Sequence, residues 1–597
     1  MITKMTKYSF ILLSNELDDF LSKVQNLGLV DITRSDVPTD SHSVEMMNLY
    51  KRYQDIISRL KIFRKENSSI KSAKDNTASS EEMVRAAEDN FAKREELRTE
   101  IASLERELAE SAPWGLFSHE DLERINSLGF RLCFYSTTEK RYDAGWEQEY
   151  AIQILNREGG NVYFAVAVPQ GEECSLPLNP AKFPDRSADI IERDLKALKD
   201  QRDTLLAECA GYADRCEWLS SQSDALFKDL DLYLASVSGS REGEGTISVL
   251  EGFAPKDDDN VIKEFLDSSD VIYLSEKAKG EDNPPIKLKS NWFAKAFEPI
   301  GGLYILPTYD ELDLTPFFAP FYMLFFGLCL GDMGYGLILI LTGLAAVFAL
   351  PKFRNYGFLI FWLGVGSTLM PLLSGTFFGL KLAEIIPSMP DSIKGLFFSD
   401  IKMFWFSIIF GLFQIVFARI LRAIFALSKG RIDEGLTEIG WSLVIVWAAA
   451  AYASMEMGSP LIPQTAGYVM GITGLVLVLF CSKPNKNFLL RPLMGIISLY
   501  DITGIFGDML SYIRLFGLGT TGGILAFVIN SIAMQFTGIP YVGWVLTVVF
   551  LIFGHLAVMG LSCLGAFVHP VRLTFVEFYK NAGFVGGGRA FKPLSNK

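Results

Sequence analysis

Eight apolar stretches in the second half of the chain decide most of what it can become. They run at about Phe317 to Leu330, Tyr335 to Leu350, Phe358 to Leu380, Met403 to Leu427, Leu436 to Met455, Ala466 to Cys481, Met509 to Phe536 and Val542 to Val568. Hydrocarbon offers backbone N–H and C=O groups no water, so such stretches must be helices that satisfy those groups internally. With Gly331 to Gly334 as a tight turn between the first two, they predict about eight transmembrane helices. The last two are longer than a perpendicular crossing of about 30 Å requires, and tilt is the expected remedy.

Charge on the connections predicts orientation. Lys352 and Arg354, then Arg422, Lys429 and Arg431, then Lys483, Lys486 and Arg491, then Lys580, Arg589, Lys592 and Lys597 fall on alternate connections. The intervening ones lack such an excess: the first and seventh turns have no lysine or arginine, the fifth has Glu456 only, and the third mixes Lys381 and Lys394 with Glu384 and Asp391. The positive-inside rule then places both termini in the cytoplasm.

The first half is different material. Residues 301–597 hold 14 acids against 18 lysines and arginines, a net +4, so the total of −13 leaves −17 on residues 1–300. That argues against binding nucleic acid or an anionic membrane surface. The N-terminal run MITKMTKYSFILLSNELDDF has no uninterrupted apolar core of signal-peptide type, which predicts that residues 1–300 stay in the cytoplasm. Seven cysteines scattered without C-x-x-C spacing, and four histidines without H-E-x-x-H, give no disulfide framework and no metal site.

Within that half, YSFILLS, an amphipathic NELDDFLSKVQNLG capped by Gly28, and LVDIT read as strand, helix, strand. TISVLEGFAP, VIKEFLDS and DVIYLSE repeat the pattern and can pair with it, giving a proximal α/β lobe from 1–40 and 240–300. Residues 43–110 and 187–235 are helical and heavily charged. From Ile191 to Tyr233 the apolar residues keep one a/d register over about six heptads, broken only by Arg202 and Ser223. Strand-rich residues 112–186 lie between. An antiparallel coiled-coil hairpin carrying this distal α/β lobe is expected; a coiled coil used only for dimerisation is the simpler alternative.

Charges inside the membrane half need a reason. Arg514 stands in DMLSYIRLFGLGTTGGILAFVIN, where a central arginine costs roughly 2.5 to 3.5 kcal/mol. On a helix it shares a face with Gly517, Leu518, Thr521 and Leu525, small enough in part for a close neighbour. A packing arginine satisfied by nearby carbonyls is the structural alternative. Asp332 reads equally as a turn residue, Asp508 and Glu577 as wet helix ends, and Arg572 as an interfacial, snorkelling arginine. If the last two helices turn near Thr537 to Pro540, Arg514 is level with Cys563, and Arg572 lies about 13 Å nearer the cytoplasm.

Four segments carry a family resemblance: VLEGFAP; LPTYDELDLTPFFAPFYMLFFGLCLGDMGYG at Leu306 to Gly336; LSYIRLFGLG at Leu510 to Gly519; and LGAFVHPVRLTFVEFY at Leu564 to Tyr579. In this order they resemble the membrane stator subunit of V-type and A-type rotary ATPases, called subunit a or subunit I, in its bacterial form. Leu314 stands where a proline is common, and Ser562 where eukaryotic relatives carry a glutamate, so that glutamate's role does not transfer.

The resemblance implies ion translocation centred on Arg514 and Arg572. The half-channel candidates are Asp501, His569, Asp332, Asp508, Glu577 and Ser511, with Asp501 associated with the half-channel on the far side of the membrane. It implies a rotating proteolipid ring (c/K type) against the membrane part, peripheral stalk subunits (E/G type) on the cytoplasmic arm, a central-stalk socket subunit (d/C type), and catalytic V1/A1 subunits reached indirectly. The site would be the plasma membrane of a bacterial cell, moving H+ or Na+. The chain has no G-x-x-x-x-G-K-[ST] loop, so ATP chemistry is expected on other subunits and no cofactor here. The glycine-rich GFVGGGR near the C-terminus reads as a flexible tail. A self-contained secondary transporter, or a membrane scaffold organised by the coiled coil, are the competing functions.

Overall fold

The computed structural model describes residues 2–34, 40–73, 77, 79–172, 174, 176–242, 246–269, 271–386, 390–395, 397–460, 462–482 and 491–595; Lys483, Lys486 and Lys597, used above for orientation, lie outside the described residues. The chain divides into two compact units, and the division is not at residue 300. Leu17–Asn26 and Arg34–Gly239 make up most of one; Leu27–Thr33 and Ser240–Leu594, with the N-terminal strand, make up the other.

In the first unit two helices run outward, Ser41–Glu66 and Ser80–Ser111, and two return, Ala188–Asp214 and Cys216–Ser238. Cross-links between them fall in antiparallel order. Asp40 meets Tyr233, Gln54 donates to Ser223 at 2.9 Å, Asn90 donates to the Leu205 carbonyl at 3.0 Å, and Glu107 pairs with Arg186 at 2.7 Å. Ile191, Cys209, Leu219 and Leu230 are fully buried at their expected register positions. The two interruptions resolve differently: Ser223 is buried and paired with Gln54, whereas Arg202 turns outward to Asp203. The helices are not continuous, because the returning one breaks at Arg215, whose guanidinium sits 4.2 Å from the Trp218 ring. At the far end a three-stranded antiparallel sheet orders Phe130–Thr138, Asn161–Pro169 and Ile152–Glu158, with Trp114 packed edge-on against Phe134 and Tyr163.

In the second unit Met5–Leu13 pairs antiparallel with Ile247–Pro255 on one side and Ile272–Lys277 on the other. Gly28 takes φ 67°, the left-handed geometry expected of a residue just past a helix end. The C-terminal segment is not free. The Glu311 carboxylate accepts the N–H groups of Val585 and Gly586, Ile286 donates to the Arg589 carbonyl at 2.6 Å, and Leu594 donates to Val30 at 3.0 Å. The glycines that suggested flexibility instead supply close approach: a Cβ on Gly588 would lie 2.0 Å from the Pro307 carbonyl oxygen.

The apolar helices of this unit are labelled α1 to α8 in chain order. Among the described residues six are long and apolar enough to cross a membrane: α3 (Pro351–Ser374), α4 (Asp400–Ser428), α5 (Ile432–Met457), α6 (Gln464–Cys481), α7 (Gly495–Phe536) and α8 (Gly543–Ala582). The two remaining stretches form shorter helices, α1 (Thr315–Leu330, 16 residues) and α2 (Met333–Ala349, 17 residues), below the usual crossing length. Helices α1 and α3 touch backbone to backbone, since a Cβ on Gly327 would fall 2.1 Å from the Gly366 carbonyl oxygen.

Because Gly588 lies against Pro307, Gly588→Val is expected to lift the C-terminal segment off the sheet. Limited trypsin digestion under native conditions should then cut after Arg589 faster than in the wild type.

Candidate functional site

Within helix α7 the segments Asp501–Ser511 and Ile513–Phe536 are joined at Tyr512. Tyr512 is fully buried and donates its hydroxyl to Gln414 Oε1 of α4 at 2.8 Å. Only a glycine leaves room for the ring, for a Cβ on Gly411 would stand 2.1 Å from Tyr512 Cγ. This anchor fixes the helix two residues before Arg514. The Arg514 side chain is half-buried, and among the described residues no carboxylate lies within 4.0 Å of it.

The register between α7 and α8 corrects the expected offset. Thr547 donates to the Ala533 carbonyl, His555 meets Asn530, a Cβ on Gly522 would touch Ser562, and one on Gly565 would touch Leu518. Continuing that pairing brings Arg514 level with His569, not Cys563. The chain does not reverse within Thr537 to Pro540; Tyr541, at φ 67°, and Val542 are still in the turn, and α8 starts at Gly543. Arg572 therefore lies about one helical turn, ~4.5 Å, beyond the level of Arg514 instead of 13 Å. Both guanidinium groups act electrostatically on His569. Arg572 itself is exposed.

Past Arg572 the helix widens into one π-helical turn, Leu573–Phe578, a geometry that is uncommon and frequent at functional sites. It carries Glu577, which is 1% exposed, so that residue is not at a wet helix end; Ser511 faces its carboxyl. Glu577 Oε2 and Thr574 Oγ1 are buried without a hydrogen-bond partner. Asp508 is also buried. It receives Lys580 Nζ at 3.2 Å and Asn581 Nδ2 at 3.0 Å.

Two cavities flank Arg514 along α7. One, of about 1300 Å³, is lined by Asp501, Asp508, Lys580, Asn581, Arg431 and the buried pair Arg419 and Glu438. The other, of about 400 Å³, is lined by Gly519, Thr520 and Gly523 of α7 together with Thr376, Lys381, Glu384 and Asp400. Asp508 and Gly519 lie about 9 Å and about 7.5 Å along the helix from Arg514, on opposite sides of it.

Asp501 lines the same cavity as Arg431 and Lys580. It follows the basic connection ending at Arg491, and α7 runs from there toward Arg514. Asp332 faces neither cavity. Fully buried, it caps α2 and accepts four backbone N–H groups, from Gly334 (2.8 Å), Tyr335 (3.3 Å), Phe378 (2.9 Å) and Gly379 (2.6 Å). Its turn-residue reading is the one its contacts support.

Sequence reasoning missed Arg419 and Glu438, paired at 2.7 Å with side chains 11% and 7% exposed, and joined by Arg422 at 3.1 Å. The signal was present, since both lie inside apolar stretches and charges there demand partners. Breaking such a pair from one side leaves a buried charge, so Glu438→Ala should destabilise the protein by about 3–5 kcal/mol, and the double change Arg419→Met with Glu438→Met by much less. Thermal unfolding of the purified chain in detergent measures both.

Known proteins match along the whole chain. A family model described as the V-type ATPase 116kDa subunit family matches residues 185–360. A V-type ATP synthase subunit I from Borreliella burgdorferi is 26% identical, over 100% of this chain and 99% of its own. An A-type ATP synthase subunit I from Pyrococcus abyssi is 25% identical, over 84% of this chain and 76% of its own. A crystal structure of the cytoplasmic N-terminal domain of subunit I, homolog of subunit a, of V-ATPase aligns with 45% of this chain and 100% of that one, at 14% identity and a TM-score of 0.20. Over its full length the chain is similar to V-type ATP synthase subunit I, and over most of it to the A-type subunit I.

Proposed function

We propose that this chain is the stator subunit of a V/A-type rotary ATPase, and that its two cavities are the ion half-channels that meet a rotating proteolipid ring at Arg514. One observation carries the reading: a guanidinium with no carboxylate partner among the described residues sits between two cavities offset along one helix.

The physics follows from that vacancy of partners. A ring carboxylate arriving about 4 Å from Arg514 gains roughly 4 kcal/mol at an effective dielectric near 20, about three pKa units, enough to favour release of its ion. The ion leaves through one cavity, the bare carboxylate passes the guanidinium, and it reloads from the other cavity before returning to lipid. Arginine suits the position because it stays protonated when desolvated and so bars direct leakage between the cavities, whereas a buried lysine can lose its proton. Arg572, one turn away, adds a second positive field on the same path. Asp501, Asp508 and Glu577 line or adjoin the cavity on the basic side, which makes it the cytoplasmic half-channel, and His569 and Ser511 belong to the passage between it and Arg514.

In this reading the cytoplasmic arm binds peripheral stalk subunits, the membrane part carries eight helices with both termini in the cytoplasm of a bacterial cell, and ATP is handled by other subunits. Arg514→Ala should leave the assembled complex intact and abolish ATP-driven ion uptake in reconstituted vesicles. Coupled uptake surviving that substitution would defeat the assignment. Arg572→Ala should slow uptake without abolishing it, read in the same vesicles.

A further inference from the structure

The 400 Å³ cavity has a wall made of an unusual turn. Thr376–Phe377 and Leu380–Lys381 form a short hairpin whose two turn residues, Phe378 and Gly379, have φ of 46° and 74°. This is the two-residue geometry that normally selects Asn-Gly, because both central residues need positive φ. A phenylalanine there is strained, and strain persists only where the surroundings over-determine it.

The surroundings do so through a closed loop of hydrogen bonds. The Asp332 carboxylate takes the N–H groups of both turn residues. The Phe378 carbonyl accepts from Asn530 Nδ2 of α7 at 2.6 Å, and Asn530 Oδ1 faces His555 Nε2 of α8 at 3.0 Å. His555 Nδ1 faces the Tyr335 hydroxyl of α2 at 2.8 Å, and the Tyr335 N–H returns to Asp332. The Phe378 ring stands edge-on to Tyr335 and to His555. Since Asn530 spends its amide nitrogen on a carbonyl, its oxygen accepts, so His555 Nε2 carries the hydrogen and Nδ1 accepts from Tyr335. In that arrangement both ring nitrogens are used, and a proton added to Nδ1 would displace the bond from Tyr335. There is no slack in the backbone either: a Cβ on Gly379 would lie 2.5 Å from α7 backbone, and one on Gly334 2.5 Å from the Phe378 ring.

We propose that Tyr335, His555 and Asn530 are positioning residues for ion translocation: they clamp the Phe378–Gly379 turn against α7 and α8 and so set the width of the cavity on the side of Arg514 away from the basic connections. The proposal rests on the reading of that cavity as an ion path. His555 holds the wall and does not carry the ion.

The test uses the assembled complex in vesicles and two readouts. The first is ion uptake per ATP hydrolysed. The second is labelling of Lys381→Cys by a membrane-impermeant maleimide, above the background of the native cysteines, which reports the hairpin without requiring transport. His555→Leu should lower coupled uptake on the order of tenfold or more and speed labelling, because a displaced wall misplaces the path. His555→Gln keeps a donor and an acceptor but does not titrate, and it should restore most of both. Tyr335→Phe, which keeps the ring and removes one hydroxyl, should fall between, and it serves as the deciding variant if His555→Leu does not assemble. Wild-type uptake and labelling in His555→Leu, or in Tyr335→Phe where that variant decides, overturns the proposal. So does a His555→Gln complex that assembles and labels normally yet transports no better than His555→Leu, since that assigns the histidine a proton-carrying role. Coupled uptake retained by Arg514→Ala defeats the stator reading instead, and labelling then still decides whether the clamp exists.

Discussion

A positive charge that cannot be discharged, in a segment that must lie in hydrocarbon, is the constraint around which the membrane unit is arranged. Holding an arginine in an apolar segment without a partner is costly. Two acids of this unit are already engaged: Asp508 by Lys580 and Asn581, Glu438 by Arg419 and Arg422. Among the described residues no carboxylate lies within 4.0 Å of Arg514, and in the proposed reading its partner comes from outside the chain. Its position is held firmly all the same, through Tyr512 buried in the gap left by Gly411 and hydrogen-bonded to Gln414. A rigid mount for an unsatisfied charge is what differential stabilisation of a passing carboxylate requires.

Intramembrane polar groups here separate into two kinds by their hydrogen bonds. Asp332 has both oxygens filled by backbone N–H groups, and Arg419 and Glu438 satisfy one another, so these tie helices together. Glu577 has a buried oxygen without a partner, beside a π-helical turn and close to Ser511. The same residue type, at similar burial, thus serves fastening in one place and keeps an unpaired oxygen in another. Counting charges inside apolar stretches finds both kinds and does not tell them apart.

The membrane helices are joined to the N-terminal sheet by more than the chain connection. The C-terminal segment comes back from α8 to bond with Ile286 and Val30, and Lys592 donates its N–H to Asp31. Such a return ties the membrane helices to the sheet at several points, where a single covalent link would transmit force through one.

Much was legible in the sequence because it is local. Apolar stretches of membrane length, the strand alternation of YSFILLS and TISVLEGFAP, the cap at Gly28, the a/d register from Ile191 to Tyr233, and the isolation of Arg514 all follow from periodicity or from the cost of one charge in hydrocarbon. What tertiary structure decided concerns residues far apart in the chain. The level of Arg514 against His569 depends on where the turn between α7 and α8 begins and ends, and a shift of a few residues there moves a charge by a helical turn or more. Which cavity Asp501 lines depends on the direction in which α7 continues. The role of Asp332 depends on Phe378 and Gly379, and the order of the glycine-rich tail depends on Glu311 and Pro307. Sequence spacing fixes which face of a helix a residue occupies; it does not fix what arrives opposite that face, because that is set by packing between segments tens to hundreds of residues apart.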